Sequence, residues 1–427
     1  VRRAEQVNQL REGVVGVLAP ATDPPQDRLL TGLVKLDENA IVAKLVADDD
    51  AFDDERLPID AAAVGGSTEA GDILLVDLRT RGDGPGQLRV AKYTAHGVLV
   101  EVDLTLVDAD HVAAVQFAYH GLHNWLPERI YKDDPLIEDG KLVGWSAELR
   151  YAKGITVPLD DGFTLRFSTG WNVGGEFDRR TFATPLNVTV ESKERRSIRE
   201  HIGRLDAVHA LLNIAHRERV QAFGGSARLT EDSDWCAFWE TTFMSKDGTH
   251  DVAHFFPYFG LDEIGGITAV ARWIDIARGH RRAVTPVVRH VLEPSQTPEA
   301  RLLSTAAAME SWIAAHRRSQ AWAKKVENED LPGAIIRTVD PSWNDWIGDS
   351  DEWLRQFWAS YNHVKHRPED DLDPNLVNAL EIAGRWLLTA AVLDKCAGNM
   401  EPSRHLFGTS LGVVGGNVRG VLGTSLR

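Results

Sequence analysis

The chain has 427 residues, 47 of them basic and 63 acidic, for a net charge of -16. That length exceeds what one ordinary core sustains, roughly 250–300 residues, and implies two or three domains. A hydrophobic content of 43% with 26% charged residues excludes a disordered or fibrous chain, and the acidic balance repels polyanions at long range, so any nucleic-acid site must be a local patch.

From about residue 13 to 190 the pattern is one of short apolar alternations broken by turn residues, as in "DILLVDL", "YTAHGVLVEVDLTLVDAD", "GFTLRFSTGWNVGGEF" and "TPLNVTV". These predict strands. Val98, Val100, Val102, Leu104 and Leu106 alternate with Leu99, Glu101, Asp103 and Thr105, which predicts one strand with an apolar and a polar face. Because turns rather than helices separate the strands, the expected architecture is a β-sandwich or a strongly bent antiparallel sheet. The acidic run Asp48-Asp49-Asp50-Ala51-Phe52-Asp53-Asp54-Glu55 lacks the glycine and ligand spacing of a calcium loop and reads as a solvated surface segment.

After Val190 the period changes. "ESKERRSIREHIGRLDAVHALLNIAHRERVQAF" places Ile198, Ile202, Leu205, Val208, Leu212 and Val220 at helical spacing, and predicts an amphipathic helix entered from a strand. Its Lys193, Arg195, Arg196, Arg199, Arg204, Arg217 and Arg219 are interleaved with acidic residues and read as a solvated face. Arg278, His280, Arg281 and Arg282 close a further helix, where exposed carbonyls favour cations whatever the function. Pro294 and Pro298 mark a boundary, with Ser295 or Thr297 as helix cap. The region beyond is helical: "EARLLSTAAAMESWIAAHRRSQAWAKKV", "DEWLRQFWASYNHVKHR", and a helix starting at Asp371 or Asp373 with Pro374. Residues 401–427, rich in glycine and serine, are expected to be a tail or an ordered arm. The organisation expected is α+β: residues 8–292, β-rich to about 190 and mostly helical after, then a helical bundle over 296–400 and the tail.

Cys236 and Cys396 stand alone in apolar contexts, so neither a disulfide framework nor a thiolate metal cluster is expected, and a reducing cytoplasm is the natural compartment. The opening "VRRAEQVNQLREG" has no apolar segment after its basic start, and no run of about 18 apolar residues follows, so neither export nor a membrane partner is expected. There is no Walker loop and no Gly-x-Gly-x-x-Gly between a strand and a helix. His363, His366, Glu369, Asp370 and Asp371 lie close in sequence, but their spacing does not put two ligands on one helical face, so no metal and no cofactor is expected.

Most chemistry is concentrated in "WLRQFWASYNHVKHRP", residues 353–368. Wound at 3.6 residues per turn, Arg355, Asn362 and His366 fall within about 40° of one line. His363 and Lys365 flank that face, Arg367 follows it, and Leu354, Phe357, Trp358, Tyr361 and Val364 cover the apolar side. Pro368 stops the helix.

An Asn-x-x-x-His at the end of a long helix, followed by the long helix "NALEIAGRWLLTAAVL", resembles the HEPN domain. The segment "VAAVQFAYHGLHNWLPE", a strand running into Leu122 and Trp125, resembles the amino-terminal domain of the ApeA family of bacterial anti-phage proteins, in which such a domain precedes an ApeA-like HEPN bundle. The resemblance implies a metal-independent ribonuclease acting on RNA, with tRNA as one candidate substrate, as a cytoplasmic homodimer set off by a phage-derived trigger. It also implies roles. His366 handles the protons, Asn362 orients, and Lys365, His363 and Arg367 contact the substrate; the arginine that stabilises the phosphorane is Arg355, on the same face, or Arg367, next to His366. The departure is Tyr361, which stands directly before Asn362 where the family has arginine. The alternative is a bundle that has lost catalysis and senses, binds RNA or dimerises.

Overall fold

The computed structural model describes residues 8–21, 30–37, 40–46, 63–83, 90–119, 121–126, 131–149, 154–174, 181–244, 256–292, 295–327, 330–367 and 372–424. The acidic run 48–55, Pro294, and Glu369, Asp370 and Asp371 lie outside them. The chain divides into two compact units. The first comprises Val1–His123, Ile130–Leu205 and Gln221–Val252; the second comprises Asn124–Arg129, Asp206–Val220 and Ala253–Arg427.

The first unit is built on β1 (Val14–Pro20), β2 (Leu30–Asp37), β3 (Ala40–Val46), β4 (Ala63–Thr68), β5 (Gly71–Asp83) and β6 (Val90–Val100). These six pair antiparallel in the order β6-β3-β2-β1-β4-β5, and β5 pairs back onto β6, closing a barrel. Alternation decides what fills it: Leu30, Val34, Ile41, Ala43 and Leu45 are buried while Thr31, Lys35 and Lys44 are exposed or half-exposed. Gly66 permits the close approach of β4 to β1, since a Cβ there would lie 2.7 Å from Leu18 Cα.

The sheet continues past the barrel through β16 (Trp235–Glu240), β15 (Ala222–Arg228), β7 (His111–Tyr119), β14 (Leu186–Ser197), β11 (Phe163–Thr169) and β10 (Ile155–Pro158), in that order from β6. Residues 90–95 of β6 pair with β3, and residues 97–100 pair with β16. Two separate hairpins, β8 (Tyr131–Glu138) with β9 (Lys141–Leu149) and β12 (Asn172–Gly174) with β13 (Thr181–Ala183), complete the strands described. Of the two architectures expected, the sheet is the bent antiparallel one, bent far enough to close on itself.

Two expected elements differ. The strand over 98–106 ends at Val100, because Asp103 Oδ1 takes the N–H of Thr105 at 3.0 Å and its hydroxyl at 2.6 Å, nucleating a 3₁₀ turn over Leu104–Leu106. The helix expected from the charged run after Val190 begins only at Ile198, as α1 (Ile198–His216), and Lys193, Arg195 and Arg196 stay on β14 beside a bulge. There Arg195 donates to the carbonyls of Leu106 and His111 at 2.8 and 3.0 Å. Arg204 is buried, donates to Glu200 O at 2.7 Å and lies 3.5 Å over the Phe163 ring. Leu122 and Trp125, in a short turn after β7, are both fully buried.

The second unit is helical: α2 (Gly266–Gly279), α3 (Arg281–Leu292), α4 (Pro298–His316), α5 (Leu331–Ile336), α6 (Ser342–Ile347), α7 (Ser350–His366), α8 (Pro374–Ala397), α9 (Glu401–His405) and α10 (Gly412–Thr424). Thr297 caps α4 and Asp373 caps α8, each ahead of a proline at the first helical position. Among the described residues α8 is the one helix long and apolar enough to cross a membrane, and 83% of its most apolar window is buried inside the structure. Cys396, near its end, has its thiol pushed up to about 12 by burial.

Residues 401–424 are helical despite their glycines. Leu406, Phe407, Leu411 and Val418 are buried, and Trp346 Nε1 donates to Leu411 O at 2.8 Å. A Cβ on Gly415 would meet Trp346 at 2.5 Å, so this glycine, which weakens the helix, also lets it approach that indole.

Candidate active site at the end of a helix

Helix α7 starts at Asp349, whose carboxylate takes the Glu352 N–H at 2.9 Å, and ends at Arg367, whose N–H reaches His363 O at 2.8 Å. Its buried line runs through Trp353, Gln356, Phe357, Ser360 and Tyr361. This differs from the expected apolar side, since Leu354, Trp358 and Val364 are only half-buried. The stripe is set by Trp353, which is fully buried with its ring 5.3 Å from Trp343 and 5.1 Å from Phe357. Gln356 and Ser360 are carried inward with it.

The opposite face holds the expected chemistry. His366, Lys365 and Arg367 are exposed, Asn362 and His363 half-buried. The last turn thus gathers an imidazole, an ammonium and a carboxamide on solvent-reachable helix surface. Lys365 Nζ donates to the Tyr361 hydroxyl at 3.1 Å, which holds the ammonium above its ordinary pKa, and that hydroxyl lies 3.4 Å from Glu310 Oε1 on α4. The sequence pattern alone does not mark Tyr361 and Glu310 as site residues. The signal for the first was its place four residues before Lys365; nothing in the sequence pairs it with Glu310.

Arg355 is not brought to this group. It is exposed and forked onto Glu352, at 2.9 and 2.5 Å, which keeps that carboxyl below its usual range with help from Gln356. Eleven residues of helix separate Arg355 from His366, about 16 Å along the axis. A phosphate contacted by His366 is therefore out of reach of Arg355 on the same helix. No three side chains of His, Cys, Asp or Glu come together as a metal-binding group among the described residues.

A closed β-barrel extended into an open sheet, with a helical unit that carries this polar turn on α7, defines a two-part α+β protein. Residues 23–273, more than half of the chain, match the family model of ApeA N-terminal domain 1. The chain belongs to that family, which is one of anti-phage defence. No curated protein and no solved structure matches it.

Proposed function

We propose that the protein is an anti-phage defence ribonuclease of the HEPN type, with the β-rich region sensing or regulating and the end of α7 cutting RNA. The observation that carries this reading is the exposed His366 one turn from Asn362 and next to Lys365, at the end of a buried-backed helix in a chain that belongs to the ApeA family.

The chemistry balances without a metal. The His366 imidazole takes the proton of a ribose 2′-hydroxyl, the 2′-oxygen attacks the adjacent phosphorus, and the bond from phosphorus to the 5′-oxygen breaks. The imidazolium returns its proton to that oxygen, leaving a 2′,3′-cyclic phosphate and a 5′-hydroxyl. Lys365, held in place by Tyr361, sets positive charge beside the phosphorane, and the Asn362 amide orients phosphate or imidazole. His363 and Arg367 contact the flanking backbone. Arg355 acts from a second copy of the chain, because its own His366 is too distant.

The test is cleavage of RNA by the purified full chain in EDTA, read for cyclic-phosphate ends. His366→Ala should remove it while leaving the fold intact, and mixing His366→Ala with Arg355→Ala chains should restore part of it, since one composite site then holds both groups. Full activity of His366→Ala ends the nuclease reading. A second reading, an RNA-binding or dimerisation module without catalysis, is favoured by Tyr361 in place of the motif arginine and by the Glu352 fork on Arg355. It predicts RNA binding with no cleavage under any condition.

A further inference from the structure

Deep in the helical unit, on residues none of which belongs to the α7 site, charges sit where an apolar core would be expected. Glu381 and Arg385, one turn apart on α8, are 1% and 3% exposed, and Arg385 Nε donates to Glu381 Oε1 at 3.0 Å. The same oxygen lies 3.5 Å from Thr305 Oγ1 of α4 and 3.8 Å from His290 Nδ1 of α3. Arg301 of α4 reaches across to Asn378 Oδ1 of α8 at 2.8 Å. Three helices thus converge on one carboxylate and two guanidinium groups.

The hydrogen bonds within the chain do not use up these groups. Arg385 Nη2, Arg301 Nε, His290 Nδ1 and Glu381 Oε2 are all buried, and none finds a hydrogen-bond partner among the described residues. Buried donors and acceptors left without a partner cost about 1–3 kcal/mol each, more when charged, so these four atoms on three helices call for a partner. The charges do not cancel either. Burial first, then Arg385, Arg301 and Arg217, depress the His290 imidazole to about 3, so it is neutral at pH 7. Burial also lowers Arg385, and Arg217 and Arg301 add to that against the pull of Glu381. Arg217, exposed, donates to the Tyr258 hydroxyl at 3.1 Å and lies 5.6 Å over that ring; the Tyr258 ring is 5.5 Å from Trp386, and Arg385 lies 5.6 Å over Trp386, so Arg217 stands at the rim of the cluster one aromatic pair from Arg385.

We propose that Arg301, Arg385 and His290, with Arg217 at the rim and Glu381 as acceptor, form a binding site for a protonated phosphoryl group of a small ligand. The donor set, two guanidinium N–H groups and an imidazole N–H, matches phosphate oxygens. The free Glu381 Oε2 accepts, and so requires a ligand that carries a hydrogen on one oxygen. Hydrogen phosphate and a singly protonated phosphate monoester have that hydrogen near neutral pH. Sulfate does not, and would set its oxygen against the carboxylate.

Isothermal titration calorimetry and thermal shift on the full chain at pH 6.5 test this with inorganic phosphate, sulfate and adenosine 5′-phosphate as probes. Phosphate should bind at least tenfold more tightly than sulfate, and Arg301→Gln should weaken phosphate at least tenfold. Glu381→Gln should act the opposite way on selectivity, bringing sulfate to within threefold of phosphate, because a carboxamide can donate to it. Tighter binding of adenosine 5′-phosphate than of free phosphate assigns the phosphoryl group to a nucleotide, and weaker binding assigns it to the free ion. Should Arg301→Gln fail to fold, Arg217→Gln at the exposed rim gives the same reading with a smaller loss. Equal affinity for phosphate and sulfate in the unaltered protein, or no binding of any probe, overturns the proposal.

Discussion

Replacing Asp394 by asparagine should stabilise the helical unit, and more so as pH rises. Asp394 is 6% exposed near the end of α8; its Oδ1 takes the N–H of Ser403 at 2.9 Å, while Oδ2 is buried without a partner among the described residues. Burial pushes its pKa from 3.8 up to about 7, with the Ser403 bonds opposing the rise and Asp340 and Glu401 adding to it. The folded state therefore prefers the protonated acid. Below pH 3.8 both folded and unfolded forms carry the proton and the group is neutral in the balance. Between 3.8 and about 7 the unfolded chain ionises first and the folded state loses about 1.4 kcal/mol per pH unit, and above about 7 the loss is constant at about 4 kcal/mol. Asparagine keeps the acceptor for Ser403 and has no proton to lose. Its advantage should grow by about 2–3 kcal/mol between pH 5 and pH 8, or very roughly 5–10 °C in the melting temperature of a unit this size. Differential scanning calorimetry of both proteins at pH 5, 6, 7 and 8, with tryptophan fluorescence marking the helical transition, reads it directly. Parallel pH profiles for the two proteins would show that Asp394 ionises normally and refute the argument.

Trp353→Ala should cost about 3–5 kcal/mol, since the indole is fully buried against Trp343 and Phe357, whereas Trp358→Ala, half-buried, should cost much less; urea unfolding separates them. Tyr361→Phe should leave stability within about 1 kcal/mol yet free Lys365, raising KM for RNA several-fold with kcat nearly unchanged. An unaltered KM would remove Lys365 from the substrate contact.

Alternation along a strand such as β11 told which side chains are buried, Phe163, Leu165 and Phe167, and the helical period told where α4, α7 and α8 run. Closure of the barrel was not readable in the same way, because alternation fixes the face of a strand and says nothing of its neighbours. The early end of β6 turned on one side chain, Asp103, competing for a backbone N–H. Residues 401–424 read as a tail or an ordered arm because their glycines break the period, yet one of those glycines, Gly415, is what allows approach to Trp346. At the candidate site, the shared face of Asn362 and His366 followed from helix geometry alone. The Glu310 contact of Tyr361 and the meeting of His290, Arg301 and Glu381 depend on packing between helices far apart in sequence, which local pattern does not encode.

The divided pairing of β6 ties the barrel's solubility to strands that come much later in the chain. Its residues 97–100 lean on β16, which is made after residue 234. A nascent chain that has completed β1 through β6 can close the ring through β5, but Val98, Leu99 and Val100 then present an open backbone edge until β16 arrives. A fragment ending after residue 106 should for that reason associate edge to edge, and full-length synthesis should pass through a stage that calls on chaperones.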